Sequence, residues 1–174
     1  MLQLNYLCIK NILNNIPYLF FAYTNIGEKM KKFLKVLLPL LVCIIISSLF
    51  VYFGKVNYSN IVTPKFAPPG FIFPIVWSII YLIFYLCMSK TYNDKKTYKL
   101  YLIILAMHIL WNFLFFKMGF FLIALIELII LYFTSWVFVY YLSLNKRLYF
   151  YINIPYLLWL LIATYLNIGL MLLN

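Results

Sequence analysis

Across its 174 residues the chain is 67% apolar and only 10% charged, with a mean hydropathy of +1.01; soluble domains are about half apolar and about a quarter charged. That excludes a separate soluble domain and leaves room for about five membrane spans of roughly 20 residues each. The net charge of +11 is carried by lysines that punctuate apolar runs, which argues against a nucleic-acid groove and for lysines that set membrane topology.

Residues 1–29 mix Asn with apolar side chains, contain Pro17 and lack a small-residue cleavage site, so they make a poor signal peptide. They are treated as an N-terminal extension, either an upstream addition or an interfacial segment; residues 16–26 are too short to span. The membrane domain, 30–174, opens with Met30, Lys31, Lys32 and Lys35. Its apolar runs predict an all-α bundle of five spans, at about 33–53, 70–88, 99–116, 119–142 and 148–173. The turn "FKMGF" between the third and fourth is too short for anything but antiparallel neighbours.

Lys29, Lys31, Lys32, Lys35, Lys90, Lys95, Lys96, Lys99, Lys146 and Arg147 fall at one end of such a bundle, and Lys55, Lys65 and Lys117 at the other. The positive-inside rule then places the N-terminus in the cytoplasm. Five spans put the C-terminus outside, and the long connection 54–69 is extracytoplasmic. Cys8, Cys43 and Cys87 form no CxxC pair. With a single histidine they predict no metal site.

Titratable groups are scarce, and no catalytic set is evident. Glu127 alone among the acids lies inside a span, where an ionisable group is either functional or simply protonated or bonded to a neighbouring helix. His108, Trp111, Asn112 and Phe115 share one helical face, suited either to a helix contact or to a ligand pocket. Trp77, Trp111 and Trp159 lie some turns inside their spans, away from the interfacial belts that Trp favours. Aromatic walls with a few polar groups describe a pocket for a flat apolar ligand, although aromatic packing alone would give the same pattern. On the fifth span Tyr156, Trp159, Ala163 and Asn167 lie near one stripe, and Pro155 opens it.

Three stretches then read together. "PKFAPPGFIFPIVWSIIY" resembles the proline-rich loop and second helix of the TspO/MBR family, the tryptophan-rich sensory proteins. "HILWNFLFF" is similar to that family's third helix, and "PYLLWLLIATYLN" to its fifth. The resemblance covers about residues 33–174 and implies a five-helix membrane bundle, usually a homodimer. Its pocket would take porphyrins and haem-related tetrapyrroles as ligands, with no required cofactor. Carried over by position, the implied ligand-binding residues are Phe66, Pro68, Pro69, Phe71, Trp77, His108, Trp111, Asn112, Trp159, Ala163 and Asn167. Phe66 and Phe71 stand where tryptophans are usual, which keeps a stacking surface and loses the indole donors. His108 replaces the usual Asn, and Asn112 the usual Ser. Ligation of haem iron by His108 is disfavoured because no second axial ligand is evident. No Arg or Lys follows Tyr165, so the pattern proposed for cholesterol contact is incomplete.

The expected function is that of a bacterial inner-membrane receptor for a porphyrin or haem-like molecule, bound under the first extracytoplasmic loop. The alternatives are photo-oxidative breakdown of porphyrins and tetrapyrrole transport. Transport is disfavoured because the chain lacks an inverted repeat and Gly-interrupted half-helices.

Overall fold

The computed structural model describes residues 26–56 and 61–173, so the expectations for residues 1–25 lie outside it. Five helices long and apolar enough to cross a membrane are present among the described residues: α1 (Ile26–Tyr52), α2 (Ile72–Thr91), α3 (Lys95–Met118), α4 (Phe121–Asn145) and α5 (Leu148–Leu173). Four of them differ at their ends from the sequence expectation, for local reasons. Residues 26–32 are helical, where Glu28 and Lys31 pair one turn apart at 3.3 Å. Glu28 also accepts from the Tyr92 hydroxyl at 2.8 Å, which fastens the start of α1 to the α2–α3 connection. The connection is short because Asp94 caps α3, accepting from the Lys96 backbone N–H at 3.1 Å and from the Thr97 hydroxyl; a short polar side chain at this position satisfies otherwise orphaned N–H groups. Gly119, at φ 73, closes α3 in the left-handed region that a glycine tolerates.

Two helices carry wide, π-helical turns. In α1 the turn is Phe33–Leu37, where the Leu38 N–H bonds the Phe33 carbonyl. Pro39 explains it: proline has no N–H to give to the Lys35 carbonyl four residues back, and the ladder slips by one residue ahead of it. Tyr101 of α3 donates its hydroxyl to the Val36 carbonyl inside this turn, at 2.7 Å. The second wide turn, Phe113–Met118, ends α3.

Packing is uneven along the bundle. Towards the lysine-rich end, Phe84, Phe138 and Tyr156 are fully buried; their rings meet edge to face, Phe84–Phe138 at 5.5 Å and Phe84–Tyr156 at 4.8 Å. Such pairs add about 1 kcal/mol beyond the area they bury. Towards the other end, where residues 53–71 connect α1 to α2, only a small buried group forms around Phe115, Ala124 and Leu170. Contacts between α1 and α2 are concentrated at the wide turn Phe33–Leu37, and beyond it the two helices diverge. The long connection is nonetheless anchored. Val56 N–H bonds the Phe116 carbonyl at 3.1 Å, Tyr165 donates to the Lys65 carbonyl, and Pro64 packs on Gly169.

Candidate functional site: an aromatic cavity at the loop end

Where α1 and α2 diverge, a cavity of about 1010 Å³ opens, bounded by α1, α2, α3 and α5. Each wall follows helical spacing. On α2, Phe73, Trp77, Tyr81 and Tyr85 recur every fourth residue and all face inwards. On α1, Leu37, Leu40, Ile44 and Ser47 do the same at steps of three and four. The wide turn of α3 brings both Phe115 and Phe116 to the cavity with Trp111 and Asn112, and Trp111 stacks on Phe115 at 5.0 Å. From α5 come Trp159, Ala163 and Asn167. Trp159 closes on Phe73 edge to face at 5.7 Å, and Trp77 stacks on Tyr81 at 5.6 Å.

Of the residues singled out from sequence, Trp77, Trp111, Asn112, Trp159, Ala163 and Asn167 line this cavity. Phe66, Pro68, Pro69, Phe71 and His108 do not. Phe66 and Phe71 are 86% and 67% exposed. Gly70 is the described residue of this connection that touches the cavity. Phe66 holds φ 68 within a turn closed by Ala67 N–H to the Pro64 carbonyl at 3.1 Å. It occupies the third turn position, where a type II turn asks for positive φ and favours Gly or Asn.

His108 lies behind the wall. Its ring is buried and meets Trp77 edge to face at 4.8 Å, while Nε2 is 3.2 Å from the Tyr156 hydroxyl. The proton directions follow from counting. Ser135 has one hydroxyl proton and gives it to the Leu131 carbonyl at 2.7 Å. Tyr156 must therefore donate to Ser135, also at 2.7 Å, and accept from His108 Nε2–H. The imidazole thus stands as a fixed, hydrogen-bonded support under Trp77. Asn112 donates to the His108 carbonyl one turn back on its own helix, at 2.8 Å.

Phe73, Tyr81 and Ser47 line the cavity without having been singled out from sequence. Four-residue spacing from Trp77 reaches both Phe73 and Tyr81. Ser47 lies one turn after Cys43, where with Ser48 it interrupts an apolar run, and its polarity was the available clue. Trp136 points away from the cavity and is 42% exposed.

The arrangement offers a large aromatic slot with few polar groups and, among the described residues, no charged side chain in its lining. Nor do the described residues contain a cluster of His, Cys, Asp and Glu able to hold a metal ion. The sequence profile of the TspO/MBR family matches residues 35–173. The chain belongs to the TspO/MBR family. It is 29% identical over 125 residues to the tryptophan-rich protein TspO of Archaeoglobus fulgidus, covering 67% of this chain and 79% of that one. With the tryptophan-rich protein TspO of Chlorobaculum tepidum it shares 28% over 128 residues, 67% of this chain and 78% of the other. Membership of TspO/MBR together with the five long apolar helices makes it an integral membrane protein of the tryptophan-rich sensory and binding class.

Proposed function

We propose that this TspO/MBR protein is a membrane receptor for tetrapyrroles, which lie flat in the cavity between α1, α2, α3 and α5. The observation that carries the proposal is the cavity itself: about 1010 Å³, walled by Trp77, Trp111 and Trp159 with Phe73 and Tyr81. Ligand pockets commonly run from about 300 to 1,000 Å³ with apolar and aromatic linings, so a macrocycle is within its capacity. A tetrapyrrole presents a broad apolar face to these rings, and its rim carboxylates extend through the open side towards water and Lys65. The charge asymmetry between the two ends supports a cytoplasmic N-terminus, and family likeness supports a homodimer. Titrating the detergent-solubilised protein with protoporphyrin IX should quench its tryptophan fluorescence saturably; no quenching by porphyrin or haem would contradict the proposal.

One observation favours a second function, light-driven oxidation of the bound porphyrin. Trp77 stacks on Tyr81, giving two oxidisable rings in contact at the cavity wall. Under light and oxygen, product exceeding one equivalent per protein and falling in Trp77→Phe would support turnover. Product that never exceeds one equivalent would leave binding alone.

A further inference from the structure

Among the described residues, Phe66 is the only one other than glycine with a positive φ, at 68°. Its turn is closed by Ala67 N–H on the Pro64 carbonyl, and a glycine at the same position would hold that backbone without strain. A backbone outlier of this kind persists where the surrounding structure enforces it, and it points to a side chain with a task. The task is not packing inside the bundle, because the ring is largely exposed and does not line the cavity.

Where the turn is fastened shows what the ring meets. Tyr165 donates its hydroxyl to the Lys65 carbonyl. Pro64 packs on Gly169 so closely that a Cβ there would come within 2.6 Å of the proline side chain. Tyr165 is an outward residue of α5. With Leu161, Ile162, Ile168 and Leu172 it forms an exposed stripe at helical spacing, whereas Trp159, Ala163, Asn167 and Leu170 turn to the cavity. The turn therefore lies over the flank of α5 that faces lipid, around the helix from the cavity.

Its depth follows from the same contacts. Tyr165 and Gly169 lie eight and four residues before Leu173, where α5 ends, roughly 12 and 6 Å along the axis at about 1.5 Å per residue. Ile168 and Leu172 are exposed apolar residues at that level and beyond it, so the turn sits beside the last part of the apolar zone, not above it. Its polar groups suit that depth. Proline has no N–H to satisfy, and the Pro64 carbonyl, the Lys65 carbonyl and the Ala67 N–H are all bonded within the protein, as low water demands. Lys65 Nζ stands over the Phe66 ring at 5.5 Å, which pairs a cation for headgroup phosphates with a ring for acyl chains.

We propose that residues 64–67 form a membrane-interface anchor, in which Phe66 enters the acyl-chain boundary of the phospholipid leaflet at the loop end of the bundle. Interfacial segments seat aromatic rings at this level. The anchor holds this part of the connection against α5 and away from the cavity, and it is independent of which ligand the cavity takes.

The test places a reporter at the ring. Phe66→Trp keeps an aromatic side chain and supplies the indole usual at this position in TspO/MBR proteins; the full-length variant is reconstituted into phosphatidylcholine vesicles. Emission of the added indole is the difference between variant and wild type. Lipid brominated high on its acyl chains should remove most of that emission, and acrylamide in the water should remove little. Quenching by acrylamide that matches or exceeds quenching by brominated lipid would overturn the proposal by placing the ring in water. Quenching by neither would overturn it too, because the ring would then be covered by a second copy or by the chain itself. A second measurement does not depend on tryptophan. With p-benzoyl-phenylalanine in place of Phe66, irradiation in the same vesicles should add the mass of one phospholipid. A cross-link to a second copy or within the chain, with no lipid adduct, would contradict the anchor.

Discussion

Gly54 and Tyr156 show how single residues fix the cavity from its two ends. A Cβ at Gly54 would come within 2.6 Å of both the Phe116 and the Phe50 carbonyl oxygens, and backbone atoms have no rotamer by which to retreat. Gly54→Ala should therefore lower the thermal midpoint by the equivalent of about 1–3 kcal/mol, as overpacking does, and loosen the tie between the ends of α1 and α3. Tyr156 acts at the other end: its hydroxyl joins Ser135 to His108, and His108 supports Trp77. Tyr156→Phe leaves the His108 Nε2–H unpaired in a buried site, and should cost about 1–3 kcal/mol in chemical denaturation. A variant as stable as the wild type would show that His108 finds another acceptor. The placement of His108 was only half legible in the sequence. Helical spacing put it on one face with Trp111, Asn112 and Phe115, and that face does turn inwards. Periodicity gives direction about the axis, not depth, and His108 lies one turn below the cavity where neighbouring rings cover it.

At the scale of helices, apolar runs marked all five spans and placed α5 at the bounds observed, although Pro155, expected to open α5, lies inside it. The other ends were set by individual interactions that hydropathy does not register: the Glu28–Lys31 pair, the Asp94 cap and the left-handed Gly119. The wide turns had a visible cause in one case, Pro39, whose missing N–H sits where the ladder slips. Asp94 supplies a direct test. Asp94→Ala removes acceptors from the first turn of α3 and should cost about 1 kcal/mol. The Thr97 hydroxyl, foremost, holds the Asp94 carboxyl below its usual range, with the Lys96 N–H adding to the effect. Because the folded value is the lower one, the cap's stabilisation is complete above the unfolded value near 3.9, and is lost as pH falls through the folded value. The difference in midpoint between wild type and Asp94→Ala should thus be constant from about pH 5 to 7 and shrink on further acidification. A difference that grows with acid would contradict the assignment.

For the whole molecule, the uneven packing links fold to function. Aromatic and aliphatic side chains fill the bundle at the lysine-rich end, whereas α1 and α2 diverge towards the long connection and leave about 1010 Å³ lined by rings. The three inward tryptophans were recoverable from sequence because they sit away from the interfacial belts. Phe73 and Tyr81 needed only the four-residue step from Trp77. The α1 wall was hidden by its uniformity: when nearly every residue is apolar, no stripe stands out as facing a cavity instead of lipid. The connection itself, expected to cover the ligand, keeps Phe66 and Phe71 largely exposed and is fastened through Pro64, Lys65 and Val56. The central claim is that Trp77 and Trp159, on helices that pack against each other, form two walls of the proposed tetrapyrrole site. The most direct test is the affinity for protoporphyrin IX, read by quenching of the remaining tryptophans, in wild type and in Trp77→Ala with Trp159→Ala. Loss of two stacking walls should weaken binding at least about tenfold, at roughly 1 kcal/mol or more for each aromatic contact removed. An unchanged affinity in a folded double variant would contradict the site.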